Sequence, residues 1–475
     1  MSVAKKIAKN TGILFTSEVV SNIFSFFLVI VISHYLGDSG FGKYTFAFAF
    51  VNIALIFSHL GMRTYVFREI SKHPDQTKKF LDNVFTLRFF LTWIVYGVAL
   101  LIAFTIPEAR EIIIILVLAM IHEQLYLFVR LANTVFNAHE RNRFVLTSRT
   151  LLKSLGLVIG ASVLFLGYGL IGLMLGLIAV QVVVCGYCYS VLKRNFVTPS
   201  LSFDFGYWKK LVNASLPFWF TFLFQRIYYR IDTIMLGSMT TFSATGLYGA
   251  SFSVVNALSF IPAVIITASF PSMSRMFHTD NKEKLSFLYH KVFSYLFTIG
   301  FPAVIGLSLL AGKIMPLVFG AEFVGAGPLL RVLSWSILFI FLTHLLGYLL
   351  NAIDQQKKFT IATAITAFAN VGLNLLLIPR FGALGAAYAT VSTYVVLFFS
   401  LLYFTSRHGY SLPLFRLVWR PLVAGLVMGW VVARMMEMHL FVGVLVGVFS
   451  FFGILFLLGG LGADEKRLLK SFVKK

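Results

Sequence analysis

The chain has 475 residues, 59% hydrophobic and 12% charged, against roughly 45–50% apolar and about 25% charged in a soluble domain, which excludes a soluble globule. Lys and Arg outnumber Asp and Glu by 40 to 18, a net charge of +22. With 52 Phe and 19 Tyr set in long apolar runs, that excess reads as a topology signal and not as a nucleic-acid surface.

Runs long enough to cross a hydrocarbon core of ~30 Å predict helices over 11–36, 41–62, 83–105, 112–133, 146–166, 170–192, 211–236, 244–270, 287–310, 327–350, 358–378, 382–405, 419–434 and 440–461. The expected fold is therefore an all-α polytopic membrane protein with about 14 transmembrane helices. Lys5, Lys6 and Lys9 precede the first run, which continues through Phe26, Phe27 and Ile30 with no small-residue cleavage site. It is expected to remain as a helix and not to leave as a signal peptide. Most basic residues fall in alternate loops, leaving Lys43, Arg110, Lys313, Arg331, Arg380 and Arg434 on the outer side. The positive-inside rule then places both termini in the cytoplasm and the chain in the cytoplasmic membrane.

The chain echoes itself. The segment from Asn137-Ala138-His139-Glu140 to Phe144 returns from Asn351-Ala352-Ile353-Asp354 to Phe359, and Gly169-Leu170-Ile171-Gly172 returns as Gly382-Ala383-Leu384-Gly385. Earlier, Leu36-Gly37, Gly42, Tyr44 and Val51-Asn52 are matched by Leu236-Gly237, Gly246, Tyr248 and Val255-Asn256. Two copies of a six-helix unit are expected, over 1–200 and 201–410, followed by a helix hairpin and basic tail over 411–475. An even number of helices per copy gives both the same orientation, related by an axis along the membrane normal.

Ionisable residues inside the apolar runs need a partner, a wet cavity or a ligand. In the first helix Ser17, Glu18, Ser21, Asn22 and Ser25 form a polar stripe, with Glu18 near the cytoplasmic mouth. The second and eighth helices place Asn52 and Asn256 at equivalent repeat positions, where asparagines also serve as interhelical glue. The third and fourth helices carry Arg88 and Arg130, expected to reach water at cytoplasmic ends. His122 and Glu123 in the fourth form a titratable pair able to pass protons or to act as a buried hydrogen bond. Cys185 and Cys188 lie inside the sixth helix, with no second Cys or His pair to complete a metal or redox site. The seventh helix holds the clearest set: Arg226 and Arg230, four residues apart on one face, with Tyr229 beside them and Asp232 elsewhere on the helix. Paired guanidiniums suit phosphate. His344 in the tenth helix reads as a packing residue.

No P-loop, zinc-protease helix motif or serine-nucleophile elbow is present, and the extramembranous stretches at 71–81, 195–210 and 278–284 are too short for a catalytic domain. Transport is therefore favoured over enzymology, with no cofactor, no catalytic residue and no metal site expected.

Several segments carry a family resemblance: Tyr35-Leu36-Gly37 with Gly40-Phe41-Gly42 and Tyr44, then Leu60-Gly61-Met62-Arg63 with Arg68-Glu69-Ile70, Ser215-Leu216-Pro217, and Ile231-Asp232 with Met235-Leu236-Gly237. Over nearly its full length the chain resembles the polysaccharide-transporter, O-antigen-flippase branch of the multidrug/oligosaccharidyl-lipid/polysaccharide exporter superfamily. The resemblance implies a substrate made of an oligosaccharide joined through diphosphate to a polyprenyl carrier, turned from the cytoplasmic to the outer leaflet, with glycan-assembly enzymes as partners and no nucleic acid. Arg226 and Arg230 would then neutralise the diphosphate. Glu18, Ser21, Asn22, Ser25, Asn52, Tyr229, Asp232 and Asn256 would line the cavity, and His122 with Glu123 would couple protons. The rivals are a cation-coupled drug or metabolite antiporter of the same superfamily, expected to have an acidic cavity, and a lipid II flippase.

Overall fold

The computed structural model describes residues 3–435 and 439–460, with the backbone path alone for 3–15, 217 and 218. The side chains of Lys5, Lys6, Lys9 and Pro217, and the basic tail beyond residue 460, lie outside the described part. Among the described residues every regular element is a helix: α1 (Val3–Ala54), α2 (Ile56–His59), α3 (Met62–Lys72), α4 (Thr77–Thr105), α5 (Pro107–Glu111), α6 (Ile113–Ala138), α7 (Asn142–Phe165) and α8 (Gly169–Asn195). There follow α9 (Phe205–Met239), α10 (Phe242–Leu258), α11 (Phe260–His278), α12 (Lys282–Phe319), α13 (Ala326–Ala352), α14 (Gln356–Arg407), α15 (Leu414–Arg434) and α16 (Leu440–Leu457). Backbone polar groups find no water in a bilayer core, so a chain this apolar satisfies them within helices.

Eleven described helical stretches are long and apolar enough to span a membrane. Two helices run for 52 residues and carry a non-helical residue where separate spans were expected to meet, Gly37 in α1 and Gly382 in α14. At Gly382 φ is 54°, a conformation that a side chain would strain. The 35-residue α9 has Arg226, Arg230 and Asp232 in its interior and is not one of the eleven.

Two compact units can be distinguished, the first formed by 1–253 and 366–386, the second by 254–365 and 387–475. In the first, α3 has an apolar stripe of Met62, Val66 and Ile70, one turn apart and buried against Phe80 and Val84 of α4, Leu127, Leu131 and Val135 of α6, and Val184 of α8. Arg63 and Arg68 stay on its exposed side. Between α2 and α3 the chain breaks sharply: Leu60 and Gly61 both take left-handed conformations, with φ of 42° and 69°. The second predicted helix, expected to run to residue 62, thus stops at His59 and restarts as an amphipathic helix.

The start of α9 is tied to α4 through residues 196–204. Asp82, buried on α4, accepts from the Ser200 backbone N–H (2.8 Å), the Ser200 hydroxyl (2.7 Å) and Lys78 Nζ (2.7 Å). Lys78 also donates to the Thr198 carbonyl, the Ser202 N–H donates to Thr86 Oγ1, and Trp208 Nε1 donates to Asn83 Oδ1.

Two pairs of repeat positions have matching local geometry. Glu140 and Asp354 both have left-handed φ, 57° and 58°. The next N–H in each turn bonds five residues back, Arg141 to Phe136 and Gln355 to Leu350, at 2.8 Å in both. The other pair touches within the first unit: a Cβ on Gly42 would lie 1.8 Å from the Phe242 carbonyl oxygen, and one on Gly246 1.9 Å from that of Asp38. The Ser243 hydroxyl donates to the Asp38 carboxylate beside this contact.

In the second unit, α15 and α16 pack on α12 through small residues. Gly425 faces the Phe301 ring, Gly429 faces Ile305, and Gly447 of α16 faces Val432 of α15. Glycines let helix backbones approach closely where lipid supplies no hydrophobic drive to associate.

Candidate functional site

The site lies wholly in the first unit and is built on α2, α3, α4, α6 and α9. On α9, Trp219, Phe222, Arg226 and Arg230 follow at helical spacing along one side. Trp219 Nε1 donates to the Ile56 carbonyl next to the helix break (2.9 Å). The Phe222 ring meets the His59 ring edge-on, with centroids 5.7 Å apart, and carries the Arg226 guanidinium 5.0 Å above its face. Arg230 stands over the Tyr229 ring at 5.3 Å. Both expected arginines thus sit on aromatic faces, which attract cations. Among the described residues neither forms an ion pair with a carboxylate.

The carboxylate whose charge acts on Arg226, Glu123, is already engaged. Glu123 Oε2 accepts from Arg130 Nη2 at 2.6 Å, two turns along the same helix, and both side chains are largely buried. His122 Nδ1 is 3.6 Å from the other carboxylate oxygen, and its ring packs edge-on against Phe48. Arg130 also lies 4.4 Å over the Tyr126 ring, and its Nη1 is 3.5 Å from His59 Nε2. The other ring nitrogen of His59, Nδ1, meets Arg88. The charges of Arg63, Arg88, Arg130 and Arg226 all act on His59, and those of Arg130, Arg230 and Glu123 on Arg226. The guanidiniums of Arg88, Arg130 and Arg226 therefore gather around His59, with Arg230 one turn further along α9, while the one carboxylate beside them, Glu123, is paired with Arg130. Such a site favours anions.

This corrects one expectation. Arg88 and Arg130 do not reach water at helix ends. Arg88 is 1% exposed, eleven residues inside α4, about 16 Å along the axis at 1.5 Å per residue. Arg130 is eight residues from the end of α6, about 12 Å by the same measure. Neither stem spans that length, so both are held inside, Arg130 by Glu123 and Arg88 by His59.

The remaining expected residues are spread more widely. Glu18 pairs with Arg149 of α7 at 2.7 Å, both partly exposed. Ser17 and Ser21 are buried, with no hydrogen-bond partner among the described residues, Ser25 is half-buried and Asn22 is exposed. Asn52 donates back to the Phe48 carbonyl of its own helix, so it bridges no second helix through this bond. Asp232 is buried, accepting from the Tyr248 hydroxyl and the Thr233 N–H. Asn256 is half-buried, and its carbonyl accepts from the Ser259 hydroxyl. Cys185 donates to the Leu125 carbonyl inside the helix packing. His59 was not picked out from sequence, and Arg63 was named only within the family-like segment, not as a site residue. The available signal was the Gly61 just after His59, a helix stop in the middle of an apolar run.

Together these features define a polytopic, all-helical transporter class with a cationic, membrane-embedded site. The family model described as "Polysaccharide biosynthesis protein" matches residues 7–277, and the MatE model matches residues 217–376. The chain belongs to the polysaccharide biosynthesis protein family of the multidrug/oligosaccharidyl-lipid/polysaccharide superfamily, as the sequence resemblance implied. It is 29% identical over 178 residues to the uncharacterized membrane protein MJ1068 of Methanocaldococcus jannaschii, a match spanning 37% of this chain and 35% of that protein. To the probable flippase AglR of Haloferax volcanii it is 24% identical over 393 residues, 81% of this chain and 80% of that one. Its fold is similar to that of the lipid II flippase MurJ in an inward closed conformation, with a TM-score of 0.79 at 14% identity over 93% of this chain and 98% of the other.

Proposed function

We propose that the protein is a flippase carrying a polyprenyl-diphosphate-linked oligosaccharide from the cytoplasmic to the outer leaflet for cell-surface polysaccharide assembly. Family membership and the relative named a probable flippase support this reading. The observation that carries it is the state of Arg226 and Arg230: two half-buried cations, each on an aromatic face, while the neighbouring acid is bound by Arg130. A diphosphate diester brings two negative charges, and a bidentate guanidinium is the side chain best shaped to accept them. An inside-negative potential assists the outward step by about 2.3 kcal/mol per charge for each 100 mV. Movement follows alternating access of two six-helix lobes, 1–200 and 201–410, with fourteen crossings and both termini in the cytoplasm. In this reading the α15–α16 hairpin follows the lobes, the His122–Glu123 pair is the candidate for proton coupling, and the enzymes that build and consume the lipid-linked glycan are the partners.

The test is flipping of a fluorescent polyprenyl-diphosphate oligosaccharide by purified protein in liposomes, scored by loss of outer-leaflet label. Wild type is expected to move the lipid and Arg226→Gln/Arg230→Gln to fail, at equal protein insertion. Wild type that leaves the lipid in place but exports an organic cation against a proton or sodium gradient would overturn the reading in favour of a cation antiporter.

A further inference from the structure

His59 ends α2 beside the left-handed Leu60 and Gly61, so its ring is fixed where the helix stops. Nδ1 meets Arg88, and Nε2 faces Arg130 Nη1 at 3.5 Å. A guanidinium has donors and no acceptor, and a neutral imidazole has one acceptor and one N–H. The ring therefore satisfies one of the two arginines. Arg130 has Glu123 as a second partner and Arg88, among the described residues, has only His59, which makes Nδ1 the acceptor and leaves the proton on Nε2. That N–H then points toward Arg130, another donor. Arg130 in turn uses its other terminal nitrogen, Nη2, on Glu123. Two donors, His59 Nε2–H and Arg130 Nη1–H, converge with no acceptor between them among the described residues. The Arg226 guanidinium stands over Phe222, whose ring abuts that of His59.

The geometry points to His59 as a neutral hydrogen-bond donor to the substrate anion, its Nε2–H, Arg130 and Arg226 converging on one phosphate oxygen. This rests on the reading of the cavity as a diphosphate site and adds to it an uncharged donor and a tautomer. Arg88, too deeply buried to reach the anion, is a positioning residue: it holds Nδ1 and so keeps the proton on Nε2, as outer partners orient a ligating histidine. The arrangement supplies direction where the arginines supply charge. A guanidinium attracts any anion, whereas a fixed N–H rewards an oxygen at one place.

The test is calorimetric titration of the detergent-purified full chain with inorganic pyrophosphate, for wild type, His59→Leu, His59→Gln and Arg226→Gln/Arg230→Gln, with melting temperatures recorded beside each. Losing one hydrogen bond to a charged group is expected to weaken binding about tenfold or more in His59→Leu. His59→Gln, which retains an N–H donor, is expected to recover most of it. Pyrophosphate affinity unchanged in His59→Leu, with weakened binding in the arginine double variant, would overturn the role of His59 and leave the cavity reading in place. Unchanged affinity in the arginine double variant would remove the cavity reading itself. Should His59→Leu fail to fold, the ¹⁵N signals of His59 in the wild-type protein decide: an unprotonated Nδ1 with a protonated Nε2 that shifts on adding pyrophosphate supports the assignment, and the reverse tautomer, a doubly protonated ring or a pyrophosphate-insensitive signal overturns it.

Discussion

At the scale of single residues, the site is governed by a scarcity of acceptors: its one carboxylate, Glu123, pairs with Arg130 and leaves Arg226 and Arg230 without an ionic partner among the described residues. Glu123 has two roles that pull in opposite directions. It satisfies Arg130, and breaking a buried ion pair by removing one partner costs up to about 3–5 kcal/mol. It also occupies Arg130 Nη2 and sets a negative charge beside the place an incoming anion would take, leaving only Nη1 to meet it. Glu123→Gln is therefore expected to lower the melting temperature while tightening pyrophosphate binding several-fold; weaker binding in a folded variant would show that the carboxylate organises the site and does not compete for it. The sequence reading found the arginine pair of α9 because period and charge are local properties. It did not find His59, and it misjudged Arg88 and Arg130, because their roles depend on depth in the membrane and on contacts between helices distant in sequence. Those quantities are set by packing, and no window along the chain contains them.

At the scale of elements, the all-helical membrane fold was legible from apolar run length, though eleven described stretches qualify as spans where fourteen were expected, and the two 52-residue helices break at glycines that the repeat had marked. The stop at His59 was harder to see, since Gly61 was its one local signal and the flanking Leu60 and Met62 continue the apolar run. The strap from 196 to 204 was invisible in sequence, where it reads as an ordinary polar linker. Its consequence is mechanical: Asp82 gathers three donors, two of them from Ser200, so the first turn of α9 is held to α4. Asp82→Ala leaves the buried end of this network unsatisfied and is expected to cost about 1–3 kcal/mol. The measurement is limited proteolysis of the purified protein, with faster cleavage in 196–204 expected; cleavage at the wild-type rate would mean that the strap contributes little to holding the segment.

At the scale of the whole molecule, the charge bias predicts which loops face the cytoplasm, and the prediction can be checked directly. With Cys185 and Cys188 replaced by Ser, a cysteine introduced at Glu140 should react with an impermeant maleimide only in inside-out vesicles, and one at Glu108 only in right-side-out vesicles. The opposite labelling would reverse the topology and, with it, the direction in which the membrane potential acts. The contact between Gly42 and Gly246 has a different consequence. Gly42 meets the carbonyl of Phe242, four residues before Gly246, and Gly246 meets the carbonyl of Asp38, four residues before Gly42. Each partner offers the other the same atoms at the same spacing, the signature of an isologous contact between identical subunits. A side chain at either glycine would meet the carbonyl of the opposite segment, so the two positions are constrained alike and by each other.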